Sequence, residues 1–194
     1  MNPHLVQLSA RVYGWDLAVF RAIHPVVEPS ALMLLLARVF AVGPLLVSGG
    51  VLLWMFARRD RGMRSTALKA GMTAILALAV NGLIGLLWDR ARPFVADVGH
   101  AWMPHAATGS FPSDHLTVQW ALAAVLLLDR RSRVWGGVIA ALGLPMAWAR
   151  IYLGVHYPGD MLGALVIGSL TLLGGHWFRH RRTRQAMQLP ASVH

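Results

Sequence analysis

The chain has 194 residues, of which 56% are hydrophobic and only 13% are charged, whereas about 25% of the residues in a typical soluble domain are charged. It has a formal net charge of +10 and no cysteine, which excludes thiol catalysis and cysteine-ligated metal sites. The apolar residues form long runs, and the basic residues form short clusters between them. This pattern predicts one all-α integral membrane domain over residues 1–194 and argues against nucleic-acid binding.

Residues 1–26 predict an amphipathic helix. Apolar side chains recur at spacings of three and four, with polar side chains on the opposite side: Leu5, Leu8, Val12, Trp15 and Val19 against Gln7, Arg11 and Arg21. Asp16 interrupts the apolar stripe. The segment lacks the basic start and apolar core of a signal peptide. It could lie in the membrane interface or pack on the other helices, and the sequence leaves both arrangements open.

Five apolar runs follow and predict a bundle of about five transmembrane helices over residues 27–178. They cover residues 31–57, 66–88, 115–128, 134–149 and 159–178. A helix needs roughly 20 residues to cross about 30 Å of hydrocarbon. The third and fourth runs are shorter, so each must borrow flanking residues, and either one alone could be a re-entrant segment. Residues 179–194 are predicted to be a basic cytoplasmic tail.

The basic clusters predict which side of the membrane each connection faces. They lie at residues 58–64, 130–133 and 179–184, and five crossings bring all three to the same side. Positively charged connections are enriched in the cytoplasm, so that side is predicted to be cytoplasmic. The connection at 89–114 and the turn at 150–158 are then predicted to lie on the outer face.

Three polar segments fall on this outer face. They read "DRARPF" (89–94), "SFPSDH" (110–115) and "ARIYLGVHYPGD" (149–160). Ionisable groups at a membrane boundary usually mark a functional site. A single arginine or histidine could instead extend to the interface or bond to a loop carbonyl, but three such segments on one face favour a site.

The residue types in these segments favour an anion. Arg92 and Arg150 provide fork-shaped, permanently charged donors that suit phosphate oxygens. Ser113 begins a predicted helix, where free backbone N–H groups attract anions, although it could also be a plain N-cap. Asp160 is within reach of His156, and a carboxylate bonded to one imidazole nitrogen leaves the other nitrogen basic and nucleophilic.

A metal site is the competing interpretation. His115, His156, Asp114 and Asp160 are all possible metal ligands, while His115 could equally be a second imidazole that acts as a general acid. The two arginines nearby favour an anion over a cation. The sequence therefore predicts no metal and no cofactor.

The same residues resemble the three signature motifs of the type-2 phosphatidic acid phosphatase superfamily, over about residues 81–165. The matching positions, in the order and spacing of the family, are Arg92-Pro93, then Pro112-Ser113-x-His115, then Arg150, His156 and Asp160. Three positions depart from the pattern: Gly85 replaces a lysine, Asp114 a glycine and Ala149 a serine. Asp114 and the missing lysine resemble the bacterial undecaprenyl-diphosphatase branch.

The missing lysine leaves one phosphate-binding cation unaccounted for. Arg38, about 10 Å into the first span at 1.5 Å per residue, is one candidate, and extension to the interface is its alternative role. Arg90 is a second candidate. His100 and His105 lie in the same outer connection and could line an entrance or be structural.

The resemblance implies a metal-independent mechanism. His156 attacks the terminal phosphorus and forms a phosphohistidine, and Asp160 orients the imidazole. The phosphoryl oxygens are held by Arg92, Arg150, Ser113 and the start of the third span, which includes Asp114. His115 protonates the departing lipid phosphate.

The resemblance also implies a substrate and a location. Undecaprenyl diphosphate would be hydrolysed to undecaprenyl phosphate at the extracytoplasmic face of a bacterial plasma membrane. Phosphatidylglycerophosphate, phosphatidate or lipid A phosphate are alternative substrates, and a non-enzymatic transporter or assembly factor is the alternative function. Gly159 and Gly163 form a small-xxx-small pattern, which is too weak to predict a homodimer.

Overall fold

The computed structural model describes residues 3–171, with the side chains of residue 11 and of residues 13–171. This part of the chain consists of helices and connections without strands. The helices are α1 (Pro3–Ile23), α2 (Ala31–Ala57), α3 (Arg61–Leu87), α4 (Asp114–Leu128) and α5 (Arg133–Tyr152), followed by α6 (158–171). The predicted end of the last span and the basic tail at 179–194 lie outside the described residues.

The all-α membrane architecture is confirmed. Helices α2, α3 and α5 are long and apolar enough to cross a membrane, while α4 is apolar but has only 15 residues. At 1.5 Å per residue α4 is about 22 Å long, shorter than the hydrocarbon core. Of the five predicted spans, three meet the length requirement, α4 falls short of it, and α6 continues to the last described residue.

Small side chains allow the central helices to pack closely. α4 packs against α3 and α5, and α2 packs against α3, α4 and α5. The face of α3 buried in the core repeats alanine at spacings of three and four, at positions 67, 70, 74 and 77. Close backbone approach is the main source of helix association in lipid, where burial of apolar surface provides little. Large side chains such as Leu46 and Leu86 point outward instead.

Helix α1 packs on the other helices, which is one of the two arrangements that the sequence left open, and its position in the membrane interface stays a prediction. Tyr13 and Trp15 remain about half exposed, as expected of an interfacial helix, and α1 also packs against α5. Its buried face carries Asp16 and Phe20, not Trp15 from the predicted apolar stripe. Asp16, which interrupts the stripe in the sequence, is therefore buried against the rest of the protein.

The antiparallel order of the helices separates the basic connections from the polar segments. The α2–α3 and α4–α5 connections meet at one end of the bundle, where Asp60 and Arg131 form an exposed ion pair of 3.6 Å. The connection at 88–113 and the turn at 153–157 lie at the other end. This agrees with the predicted division of the chain into two faces.

A single glycine allows these two connections to meet. Gly154 has a φ of +76°, a backbone conformation that residues other than glycine rarely adopt. A Cβ atom at this position would overlap the carbonyl oxygen of His100. Next to this contact, the N–H of Trp102 donates to the carbonyl of Leu153 at 3.0 Å. The turn that carries His156 is thus attached to the long connection by backbone contacts.

Candidate active site

His156 and Asp160 form a buried pair at the start of α6. Nδ1 of His156 lies 3.2 Å from Oδ2 of Asp160, and both side chains are almost completely buried. The same oxygen accepts the backbone N–H of Tyr157 at 2.8 Å and the hydroxyl of Ser110. Because a carboxylate only accepts hydrogen bonds, Nδ1 carries the proton, and the lone pair is on Nε2.

Two guanidinium groups face that lone pair. Nη1 of Arg92 is 3.0 Å from Nε2 of His156, and Nη2 of Arg150 is 3.5 Å from it. Burial, together with the positive charges of Arg150 and Arg92, holds the pKa of His156 well below its ordinary value. The imidazole is therefore neutral at physiological pH, with an unprotonated Nε2 between two cations.

Arg92 is fixed in place by backbone carbonyls of both connections. Its guanidinium donates to the carbonyls of Thr108, Gly109 and Val155, each at 2.9 Å. Nε, Nη1 and Nη2 of Arg92 thus each donate to a fixed backbone carbonyl. Among side chains, only a guanidinium has donors arranged in one plane to match three such acceptors. The orientation of Arg92 toward His156 is set by the protein and does not depend on a ligand.

Two buried polar atoms beside this pair have no partner among the described residues. They are Oγ of Ser113 and Nε of Arg150. Ser113 occupies the N-cap position of α4 but makes no side-chain capping bond, so its hydroxyl is available. Buried polar groups are normally paired, and two unpaired donors, on the residue that caps α4 and on the guanidinium that faces His156, fit the oxygens of an anion.

Asp114 and His115 form the first turn of α4. The exposed carboxylate of Asp114 accepts a hydrogen bond from Nδ2 of Asn81 at 2.8 Å. An ionised carboxylate repels phosphate, which argues against a direct contact between Asp114 and phosphate. Its assignment to phosphate binding stays a prediction. His115 is half-buried, and its role as general acid stays a prediction.

The two candidates for the missing cation have other partners. The exposed Arg38 donates from Nε and Nη2 to the carbonyl of Trp102, at 3.3 and 2.9 Å. Arg90 donates from Nη1 to Asp160 at 2.8 Å, and its Nη2 pairs with Asp16. A Cβ at Gly85 would have no atom within 4 Å, so the place of the family lysine is open space.

His105 also belongs to the group around His156. Its Nε2 lies 3.0 Å from Nη2 of Arg150, and its ring meets that of His156 edge-on, with centroids 5.9 Å apart. Since arginine can only donate, Nε2 accepts and Nδ1 donates to the carbonyl of Ala106 at 3.2 Å. Burial lowers the pKa of His105, and its imidazole is neutral.

Sequence reasoning missed Asp16, Ser110 and the contact of His105 with Arg150. Ser110 lies inside a motif segment, but its bond to Asp160 joins residues 50 positions apart. The one available signal for Asp16 was an acidic residue in an otherwise apolar stripe. No local pattern indicated its partner.

Comparison with known proteins identifies the family of the chain. Residues 66–184 match the model of the PAP2 superfamily. Over 127 residues the chain is 41% identical to undecaprenyl-diphosphatase BcrC of Bacillus subtilis, a match that covers 66% of this chain and 63% of that protein. The "putative undecaprenyl-diphosphatase YbjG" of Escherichia coli is 35% identical over 164 residues, a match that covers 81% of this chain and 79% of that protein.

A solved structure has the same fold. The crystal structure of LpxE from Aquifex aeolicus superposes with a TM-score of 0.67 at 21% identity, covering 81% of this chain and 92% of that one. The family match spans more than half of the chain and includes Arg92, Ser113, His115, Arg150, His156 and Asp160. The resemblance seen in the sequence is therefore confirmed: the chain belongs to the PAP2 superfamily and is a membrane lipid phosphatase.

Proposed function

We propose that the protein hydrolyses undecaprenyl diphosphate to undecaprenyl phosphate and inorganic phosphate, with a phosphohistidine at His156. The observation that carries the proposal is the environment of this imidazole. Nδ1 is bonded to Asp160, while Nε2 faces two guanidinium groups at 3.0 and 3.5 Å. A neutral imidazole between cations is suited to attack a phosphorus atom whose oxygens those cations neutralise.

The first chemical step transfers the terminal phosphoryl group to the protein. Nε2 of His156 bonds to the phosphorus while the bond from phosphorus to the bridging oxygen breaks. Arg92, Arg150 and the hydroxyl of Ser113 donate to the equatorial oxygens as charge spreads over them. His115 gives a proton to the departing oxygen of the lipid monophosphate, and Asp160 stabilises the positive charge that develops on the imidazole.

The second step regenerates the protein. Water attacks the phosphohistidine, the bond between phosphorus and Nε2 breaks, and His115 takes the proton that the water loses. Inorganic phosphate leaves, and His156 is again neutral. Each group ends in its starting protonation state, and the cations that hold the phosphoryl group are the side chains of Arg92 and Arg150. We therefore expect turnover without a divalent metal.

The choice of a polyprenyl diphosphate rests on the relatives and on the position of the site. Two relatives at 41% and 35% identity carry undecaprenyl-diphosphatase in their names. The candidate residues lie at the ends of the helices, where a lipid headgroup would be, and apolar side chains on the outside of α2 and α3 can face the lipid tail. Basic connections at the opposite end favour an extracytoplasmic site in the plasma membrane.

A panel of lipids tests the proposal. Purified protein in detergent is given undecaprenyl diphosphate, phosphatidylglycerophosphate, phosphatidate and a lipid A phosphate, with a chelator present, and phosphate release is measured. We expect the highest kcat/KM for undecaprenyl diphosphate and none for His156→Ala. A higher value for another lipid would reassign the substrate, while failure to hydrolyse any of them, both with the chelator and with added divalent metal, would favour a non-enzymatic role. Loss of activity on chelation would overturn the metal-independent mechanism.

A further inference from the structure

A buried carboxylate of the N-terminal helix connects to the candidate nucleophile through two other residues. Asp16 of α1 is 3% exposed. Its Oδ2 pairs with Nη2 of Arg90, and Nη1 of the same guanidinium donates to Oδ1 of Asp160 at 2.8 Å. Oδ2 of Asp160 in turn lies 3.2 Å from Nδ1 of His156. Asp16, Arg90, Asp160 and His156 thus form a continuous chain of charged or polar contacts.

Arg90 is held between the two carboxylates. Its guanidinium carbon lies 4.2 Å from the centroid of the Tyr157 ring, in a cation–π arrangement, and its side chain is 13% exposed. With one guanidinium shared between Asp16 and Asp160, the three groups carry a net charge of −1. That charge stays next to the imidazole and faces the positive charges of Arg92 and Arg150.

Removal of the charge of Asp16 would change this balance. Arg90 would then neutralise Asp160 alone, and the pair would have no net charge. Phosphorylation of Nε2, with Nδ1 still protonated, makes the imidazole positively charged. A neutral Arg90–Asp160 pair stabilises that positive charge less than the group of Asp16, Arg90 and Asp160, which has a net charge of −1. Low polarity around the imidazole strengthens the difference.

Asp16 also has a structural contact. Its Oδ1 accepts the N–H of Gly159 at 2.6 Å, in the first turn of α6. A Cβ at Gly159 would lie 3.0 Å from this carboxylate, so a larger residue would require the carboxylate to shift. A purely structural role for Asp16 would act through this contact, independently of Arg90, which gives a way to separate the two roles.

We infer that Asp16 and Arg90 are positioning residues for the phosphatase reaction: they keep Asp160 oriented and negatively charged toward Nδ1 of His156. The inference rests on the proposed function for His156 as nucleophile. It makes α1, which precedes the family match at 66–184, a functional part of the site.

The test is a double-mutant cycle on Asp16→Asn and Arg90→Gln. Asparagine keeps an acceptor for the N–H of Gly159 and removes the charge. We expect Asp16→Asn to lower kcat about tenfold, the lower end of the losses found when groups that orient a histidine from outside its direct contacts are altered at metal sites, with KM changed less than about twofold. In the Arg90→Gln background the same change should lower kcat by less than about twofold, because it acts through Arg90.

Glu28→Gln is the matched control. It removes one negative charge from the exposed connection between α1 and α2, and its kcat should equal that of the unaltered protein. An unchanged kcat in Asp16→Asn, or an equal loss in both backgrounds, would overturn the inference. If Asp16→Asn alone does not fold, Arg90→Gln is compared with the double variant: equal rates support the inference, and a further loss contradicts it.

A second measurement keeps this test separate from that of the proposed function. The Nδ1 proton of His156 is observed by NMR in detergent without any lipid phosphate. In Asp16→Asn we expect it to move upfield, since a weaker negative charge on Asp160 weakens the hydrogen bond, and we expect no movement in Glu28→Gln. Failure to hydrolyse lipids would defeat the proposed function but not this result, whereas an unmoved resonance in Asp16→Asn would defeat the inference even in an active enzyme.

Discussion

Nη1 of Arg92 lies 3.0 Å from Nε2 of His156, and the other donors of Arg92 are bonded to backbone carbonyls. The donor closest to the nucleophilic nitrogen is therefore held by a rigid frame before substrate arrives. Preorganised donors of this kind stabilise developing charge without reorganisation.

Arg92→Lys should lower kcat by about 100-fold. A lysine ammonium retains the charge but cannot reach the carbonyls of Thr108, Gly109 and Val155 together, so its position relative to His156 is lost. Phosphate release under saturating substrate measures the effect. Arg38→Lys, at an exposed position bonded to the carbonyl of Trp102, is the control and should keep most of the activity. Near-normal turnover in Arg92→Lys would show that charge alone is sufficient.

The acid limb of the pH profile should lie below pH 6.5. Only neutral His156 can attack phosphorus, and burial with the charges of Arg150 and Arg92 lowers its pKa well below the ordinary value. The groups that face the imidazole are Arg92, Arg150, His105 and Asp160. The dependence of kcat/KM on pH reports this group in the free enzyme.

A change of charge should move that limb in a defined direction. Arg92→Gln removes one of the positive charges that lower the pKa of His156, so the pKa should rise and the acid limb should move to higher pH. The comparison is made between the two profiles on the same substrate, which cancels the ionisation of the substrate itself. A limb that stays in place, or moves to lower pH, would mean that it reports another group.

His105→Ala should raise KM by about three- to tenfold and change kcat less. The imidazole of His105 accepts a hydrogen bond from Arg150 at 3.0 Å and so keeps that guanidinium extended toward the anion site. Without it, part of the ordering of Arg150 must be supplied by substrate binding. The matched control is His100→Ala, in the same connection. A large fall in kcat at constant KM would instead make His105 a participant in the chemical step.

Gly154→Ala should lower both thermal stability and activity. The alanine Cβ would overlap the carbonyl oxygen of His100, at a φ of +76° that alanine rarely adopts. We expect a loss of about 1–3 kcal/mol or more, with displacement of the turn that carries His156. Gly137→Ala is the control, because a Cβ there would have no atom within 4 Å. Thermal unfolding in detergent, measured for both variants, checks the difference; equal melting temperatures would contradict the role of Gly154.

The sequence alone determined the helices and the motif residues. Apolar runs long enough to cross the bilayer predict spans without knowledge of their neighbours, because the requirement is local length and hydropathy. Asp160 follows His156 by four residues, so one helix start was enough to predict their pairing. The order of the motif segments, together with alternating crossings, also indicated that Arg92, Ser113 and Arg150 would lie at one end of the bundle.

Only the tertiary structure decided which other side chains complete the site. Arg38 and Arg90 were both candidates for the missing cation, yet one is bonded to the carbonyl of Trp102 and the other to Asp16 and Asp160. Asp16 and Arg90 are 74 residues apart. Such contacts depend on how α1 docks and how the 88–113 connection folds over the bundle. These are properties of packing between distant segments, and no local sequence pattern encodes them.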